Sequence, residues 1–314
     1  MKTHISVLKN EVINFLNVKK NGIYLDLTLG YGGHSSEILK IIKNGCGKLF
    51  AFDVDKSVLN VCNEKLSKIS QNYEIIHSNY KDFDKEMLKR KINKIDGILM
   101  DLGVSQMQIS DGKRGFSYII DGELDMRMDQ SNNNLITAKF IVNNYSLQQL
   151  RKIFIENGEE KYAYKIAKNI INYRKKKKIN TTLELVDIIE NSKINKNFQK
   201  KGHPAKKVFQ ALRIEVNNEL NILKNTLPKL LSFLNKNGVL VVISFHSLED
   251  RIVKNIFNQY SRSFGNRDDD CEKPKKHLIK FKLLTKHVLI PSNEEILLNH
   301  SSKSAKLRAI KKIF

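Results

Sequence analysis

Short apolar runs alternate with amphipathic segments along the first third of the chain, and the alternation predicts strand and helix in turn. Residues 23–29 form an apolar run ending at Gly30, after which Ile38, Leu39 and Ile42 recur at helical spacing. Residues 49–54 predict a second strand, 58–69 a second helix, 74–77 a third strand and 95–102 a fourth. The fourth run is almost continuously apolar, as expected of a strand covered by helices on both faces. The order predicts an α/β fold, a doubly wound Rossmann-like parallel sheet, with ligands bound where its strands end.

After Gly103 the alternation stops, and residues 105–131, rich in Gly, Asp and Ser, predict a long ordered loop. Leu147, Leu150, Ile153 and Phe154 then share a helix face behind a cap at Ser146, with Gly158 where that helix would stop. Ala163, Ile166, Ala167, Ile170 and Ile171 form another stripe. Thr181 and Glu184 have capping-box spacing before Leu185, Ile188 and Ile189. Residues 107–202 are therefore expected to be a mainly helical insertion, dividing the α/β domain into 1–106 and 203–314. Pro204 opens an expected long helix with the stripe Phe209, Leu212, Val216, Leu220 and Leu223. Residues 238–246 predict a buried strand, 279–290 and 307–313 further strands, and the polar stretch 261–276 a mobile loop.

Composition narrows the partner. The chain has 314 residues, a formal charge of +22 and a pI near 9.7, which favours a polyanion such as nucleic acid. Lys far exceeds Arg, and Asn and Ile are abundant, a bias that an AT-rich genome also imposes. No apolar stretch is long enough to span a bilayer, and residues 1–16 lack a signal-peptide pattern. Neither a membrane nor DNA is the expected partner. Cys46, Cys62 and Cys271 are scattered, which suggests neither a disulfide framework nor a metal site and fits a reducing cytoplasm.

The segment Asp26-Leu-Thr-Leu-Gly30-Tyr-Gly32-Gly33-His34-Ser35 joins the first strand to the first helix. Its glycines let backbone approach a ligand, and the helix start offers free N–H groups. A dinucleotide fingerprint would need Gly where Ser35 stands, and the Gly-Lys-Ser/Thr of a P-loop is absent. A ligand without phosphate is favoured. Asp53, ending the second strand, is placed either to accept hydrogen bonds from both ribose hydroxyls of an adenosine or to cap the local turn. Tyr80 follows the third strand and is either a stacking surface or a rim aromatic. Asp101 ends the fourth, as a ligand contact or as a carboxylate satisfied by local N–H groups.

Five segments together resemble the bacterial cytosine-N4 methyltransferases of 16S ribosomal RNA. They are residues 26–35, Asp101-Leu-Gly-Val-Ser105, Arg114-Gly-Phe-Ser117 with Asp125-Met-Arg-Met-Asp129, His203-Pro-Ala-Lys-Lys-Val-Phe-Gln-Ala-Leu-Arg213, and Ile243-Ser-Phe-His-Ser-Leu-Glu-Asp-Arg-Ile-Val-Lys254. The resemblance implies a methyltransferase core with an inserted substrate-recognition domain. It implies S-adenosyl-L-methionine as donor and N4 of cytidine 1402 in the decoding centre, within the small ribosomal subunit, as acceptor. Carried over by position, the donor contacts are Gly32, Gly33, His34, Asp53, Tyr80, Asp101 and Gln108. Tyr80 stands where the family pattern has Phe, and Gln106-Met107 replaces a Ser-Pro pair.

An exocyclic cytosine amine is a weak nucleophile, so positioning must supply much of the rate, and a proton must leave. The Asp101–Ser105 stretch lacks the prolines of the Asp-Pro-Pro-aromatic loop that many amino-methyltransferases use. Ser105 and His246 each follow a strand and are candidates for the cleft mouth, His246 as proton acceptor or as a strand-end histidine with its bonds satisfied. Glu249 and Asp250 read as caps of the next helix, paired with Arg251 or Lys254. Arg114, Arg127, Lys206 and Arg213 are candidate RNA contacts, as are Gln210, Asn217, residues 174–178 and the tail cations Lys306, Arg308, Lys311 and Lys312. An ion-paired loop, or a solvated helix face, explains the same residues without RNA. Two other functions share the composition: a non-catalytic RNA-binding assembly factor, and a nucleotide-cofactor oxidoreductase.

Overall fold

The apolar runs become strands whose side chains alternate between two covered faces. The computed structural model describes residues 5–132, 134–193, 202–262 and 280–314. These fall into two units, Met1–Gly103 with Leu220–Phe314, and Val104–Glu219.

The first unit is built on β1 (Ile23–Asp26), β2 (Lys48–Asp53), β3 (Tyr73–His77), β4 (Ile95–Asp101), β5 (Leu234–Ser244), β6 (Phe281–Leu283) and β7 (Lys306–Lys312). Their order is β3-β2-β1-β4-β5-β7-β6. The first five are parallel, and β7 runs antiparallel between β5 and β6. Successive residues point to opposite faces. Leu49, Ala51, Val239, Val241 and Ile243 join one core with the helices Lys9–Leu16, Gly33–Ile42 and Lys56–Ser67. Phe50, Phe52, Leu240 and Val242 join the other, with the helices Phe83–Lys89, Glu219–Phe233 and Ser247–Ser261. Both faces are dry, which is why these strands read as unbroken apolar runs. The sheet is the doubly wound one expected, and its direction of winding reverses between β1 and β4.

Gly97 in β4 lies under the Tyr24 ring, and a Cβ there would come within 2.8 Å of it. The Tyr24 hydroxyl accepts a hydrogen bond from the Lys19 N–H at 2.7 Å, so the ring has little freedom to retreat. Gly97→Ala is expected to destabilise the first unit by about 1–3 kcal/mol through overpacking, read as a lower denaturation midpoint with an unchanged slope.

The second unit has its own core, formed by the helices Ala138–Asn144, Leu147–Glu156, Ala163–Arg174, Thr182–Lys193 and Lys206–Asn217. Ser146 and Gln149 make a reciprocal capping box, and Thr181 and Glu184 exchange the same pair of bonds. Three sequence expectations change. The helix Lys206–Asn217 packs its apolar stripe in this unit, so the unit runs from 104 to 219 rather than from 107 to 202. The single long helix after Pro204 is two, because Asn218 turns left-handed at φ 51° before Glu219–Phe233 begins. Residues 105–131 contain the short helix Gln106–Ser110 and a 3-10 turn at Gly112–Arg114. The helices Lys9–Leu16 and Phe83–Lys89 were not foreseen. All but the start of the loop expected at 261–276 lies outside the described residues, as does Cys271. Among the described residues, no helix is long and apolar enough to cross a membrane.

Candidate donor site

Three aspartates, Asp26, Asp53 and Asp101, are the last residues of β1, β2 and β4, the strands on either side of the switch in winding. Asp26 is buried and accepts hydrogen bonds from the Ser35 hydroxyl at 2.6 Å and the Thr28 N–H at 3.2 Å. It fixes the course of the glycine-rich turn. Burial raises its pKa against the pull of the Ser35 bond. Thr28 in turn accepts the Asp101 N–H at 2.7 Å, tying the end of β4 to the same turn. Sequence reasoning gave Asp26, Thr28 and Ser35 no individual role, although all lie within the quoted motif.

Asp53 fills the turn role that the sequence allowed it. Its carboxylate accepts the Gly30 N–H at 2.8 Å and the Asp55 N–H at 2.9 Å, one on each oxygen, so it is a turn aspartate. Each oxygen keeps a second acceptor direction, and the residue is only partly covered, so a ribose diol can still bind. Burial pushes its carboxyl up to about 6, against the pull of the Asp55 and Gly30 bonds.

The turn needs its glycines. Gly30 and Gly32 have φ of 48° and 67°, and Gly32 starts the helix Gly33–Ile42 with no side-chain cap. A Cβ on Gly33 would collide with the Ser6 hydroxyl. His34 is buried, with Nε2 3.6 Å from Asp101 Oδ2. Both its ring nitrogens and Asp101 Oδ1 lack a hydrogen-bond partner among the described residues. Burial opposes charge on His34, but the close approach and charge of Asp101, with Asp26 and Glu295, raise its pKa overall. Cys62 donates to the Gly30 carbonyl at 2.9 Å, and burial pushes its thiol up to about 12, which leaves it inert. Tyr80 opens a 3-10 turn after β3, half-buried against the Phe50 and Phe52 side of the core.

Three carboxylates around an uncapped helix start suit a ligand with cationic groups, a diol and one carboxylate, and they repel a polyphosphate. S-adenosylmethionine has that chemistry. Among the described residues no group of His, Cys, Asp and Glu could hold a metal ion.

Other expected site residues hold helix starts in place. His246 caps the helix Ser247–Ser261, its Nδ1 accepting the Glu249 N–H at 3.4 Å while Glu249 accepts the Phe245 N–H at 2.8 Å. The His246 Nε2 lies 3.2 Å from Glu249 Oε1, so both ring nitrogens face the helix start that His246 caps. Asp250 pairs with Arg308 at 2.6 and 3.2 Å. In the second unit, Ser105 and Gln108 form a reciprocal capping box, Ser105 accepting the Gln108 N–H at 3.2 Å and Gln108 Oε1 the Ser105 N–H at 3.0 Å.

Of the four leading RNA candidates, three are bonded within the protein. Arg114, 6% exposed, donates to the carbonyls of Arg127 and Met128 at 3.1 and 2.9 Å. Arg127 grips Asp125 at 2.8 and 2.9 Å, and Arg213 grips Glu219 at 2.8 and 2.9 Å. Gln210 and Asn217 donate to the carbonyls of Asn157 and Met126. Lys206 is exposed, with no ion pair to a described residue.

Comparison with known proteins agrees with this geometry. The profile of the MraW methylase family matches residues 1–313. A ribosomal RNA small subunit methyltransferase H from Mesoplasma florum is 48% identical over 317 residues, covering 99% of this chain and all of that protein. The enzyme of the same description from Mycoplasma capricolum subsp. capricolum is 48% identical over 313 residues, with 99% and 100% covered. That from Clostridium botulinum (strain 657 / Type Ba4) is 44% identical over 317 residues, with 99% of each chain covered. The match spans the turn, the aspartates and the second unit, and the sheet is that of a Rossmann-like methyltransferase. The chain belongs to the MraW methylase family.

Proposed function

We propose that this chain methylates the N4 amine of cytidine 1402 in the decoding centre of 16S rRNA, with the small ribosomal subunit as its substrate. S-adenosylmethionine is the methyl donor, and its sulfonium supplies an activated methyl group. The observation that supports the reading most directly is the set of strand-terminal aspartates around the uncapped glycine turn, in a chain matched end to end by methyltransferases of the small-subunit rRNA. In this reading Asp53 accepts both ribose hydroxyls, Tyr80 flanks the adenine, and the Gly32, Gly33 and His34 backbone meets the donor's carboxylate. Asp101, with Oδ1 unpaired among the described residues, faces its ammonium. Gln108 is proposed as a further contact on the family resemblance alone.

Incubation with labelled S-adenosylmethionine and small subunits, followed by mass spectrometry of the rRNA, is expected to place one label on that cytidine. An RNA-binding assembly factor would leave no label, and that result overturns the reading.

Donor affinity is expected to depend on pH. Hydrogen bonds from the ribose favour the ionised carboxylate, and Asp53 titrates near 6 in the free protein. Binding then releases a proton below pH 6, and affinity at pH 5 should be about tenfold weaker than at pH 7. The same group affects folding with the opposite sign. A carboxyl raised above its unfolded pKa stabilises the free fold in acid, and that contribution is lost as pH rises through about 6. Calorimetric titration between pH 5 and 8 reads the first effect, and Asp53→Asn should flatten it.

Lys206→Ala is expected to weaken binding to small-subunit RNA a few-fold and to lower the log–log salt slope by about 1, leaving donor affinity unchanged. An unchanged slope would remove Lys206 from the interface.

A further inference from the structure

Several lysines on the first unit's helices have an acid one turn away. Lys40 pairs with Glu37, Lys85 with Asp82, Lys89 with Glu86, and Arg90 bridges Glu86 and Glu74. The helix Ala163–Arg174 in the second unit has no such acid. Residues 161–183 contain no Asp or Glu, although they carry Lys161, Lys165, Lys168, Arg174 and four consecutive lysines from 175 to 178. Only two of these cations are taken up by recorded partners, Arg174 by the Val142 carbonyl at 2.8 Å and Lys177 by Glu184 at 2.6 Å.

At 3.6 residues per turn, Lys161, Tyr164, Lys165, Lys168, Asn172 and Lys175 fall within about 120° of the helix circumference. All six are exposed, while Ala163, Ile166, Ala167 and Ile170 fill the core on the opposite side. None of the four lysines has an ion pair to a described residue, and Tyr164 sits among them with 55% of its surface open. A genome-wide bias toward Lys explains many lysines. It does not explain the removal of every acid from one face, nor an aromatic ring left in solvent between cations.

We propose that this face docks single-stranded RNA, the lysines tracking phosphates over about 20 Å and Tyr164 stacking an unpaired base. The proposal rests on the reading that the substrate is ribosomal RNA, and it assigns the substrate's hold on the second unit to this helix rather than to Arg114, Arg127 or Arg213.

The test compares the full-length protein with two four-fold variants. One carries Lys161→Gln, Lys165→Gln, Lys168→Gln and Lys175→Gln. The other removes equal charge from exposed lysines of the first unit, through Lys20→Gln, Lys43→Gln, Lys68→Gln and Lys224→Gln. Binding to a short single-stranded RNA and to small subunits is followed across a salt series, with melting temperature and S-adenosylmethionine affinity measured alongside. The first variant is expected to lose at least tenfold in RNA affinity and about 3 units of salt slope, with melting and donor affinity unchanged. The control should lose far less. Tyr164→Ala should lose about tenfold and Tyr164→Phe almost nothing. Equal losses in the two four-fold variants would reduce the effect to bulk charge and overturn the proposal. If the wild type binds RNA through this face yet places no methyl group on rRNA, the surface stands and the proposed reaction falls. If it methylates rRNA and the first variant does so with unchanged kcat/KM and RNA affinity, the surface falls alone.

Discussion

Asp53→Ala is expected to weaken S-adenosylmethionine binding by about 10²–10⁴-fold. Two hydrogen bonds to a charged carboxylate contribute about 1.5–3 kcal/mol each, and both are lost together. A second cost comes from the protein itself, because the Gly30 and Asp55 N–H groups lose their acceptor and the glycine turn loses its anchor to β2. Asp53→Asn separates the two effects. An amide oxygen keeps one backbone bond and part of the turn, but it cannot accept from both hydroxyls. Calorimetry should therefore rank wild type above Asn above Ala, with melting temperature nearly unchanged for Asn. If both variants bind the donor like wild type, Asp53 is a turn residue and nothing more.

Arg213→Ala is expected to act through stability. The guanidinium grips both oxygens of Glu219 with side chains only 15% and 11% exposed, so truncation leaves a largely buried carboxylate without its partner. Breaking such a pair costs about 2–4 kcal/mol, less than a fully buried one because some water reaches it. Thermal unfolding should show a drop of about 4–8 °C. Replacing both partners, as Arg213→Met with Glu219→Leu, should restore much of the loss, because no buried charge remains. A protein with wild-type melting but weakened RNA binding would return Arg213 to the interface.

The central strands were legible because burial on both faces writes a plain apolar run, as residues 95–101 do. The capping signals at Ser146 and at Thr181 with Glu184 were legible because each needs only a short local pattern. What escaped was set by contacts distant in sequence. Asn218 ends a helix that periodicity alone would continue through Leu223, because the residues on either side pack into different cores. Phe83–Lys89 is too short for its two buried anchors, Phe83 and Met87, to form a visible stripe.

The site divides along the same line. Gly32, Gly33, Asp53 and Asp101 could be placed because strand ends and turns are local features. Pairing could not. Arg127 has its partner two residues away and Arg213 six, yet the sequence allowed phosphate as readily as Asp125 or Glu219 for either. Ser105 and His246 follow strands as expected, but both stand at helix starts, where a polar side chain satisfies backbone N–H groups first.

The neighbouring strands β4 and β5 are separated in sequence by the whole of the second unit, and β5 is flanked on its other side by β7, the last strand of the chain. During synthesis, β1 to β4 emerge early and stay half-finished, with one long edge of β4 unpaired, until residues from beyond the insertion arrive. If the insertion folds first it holds its own ends at a fixed separation, so β5 meets β4 across a short effective loop rather than a long flexible one. A nascent chain that stops short of Lys306 would present β5 without its outer neighbour, so the sheet closes only when β7 arrives.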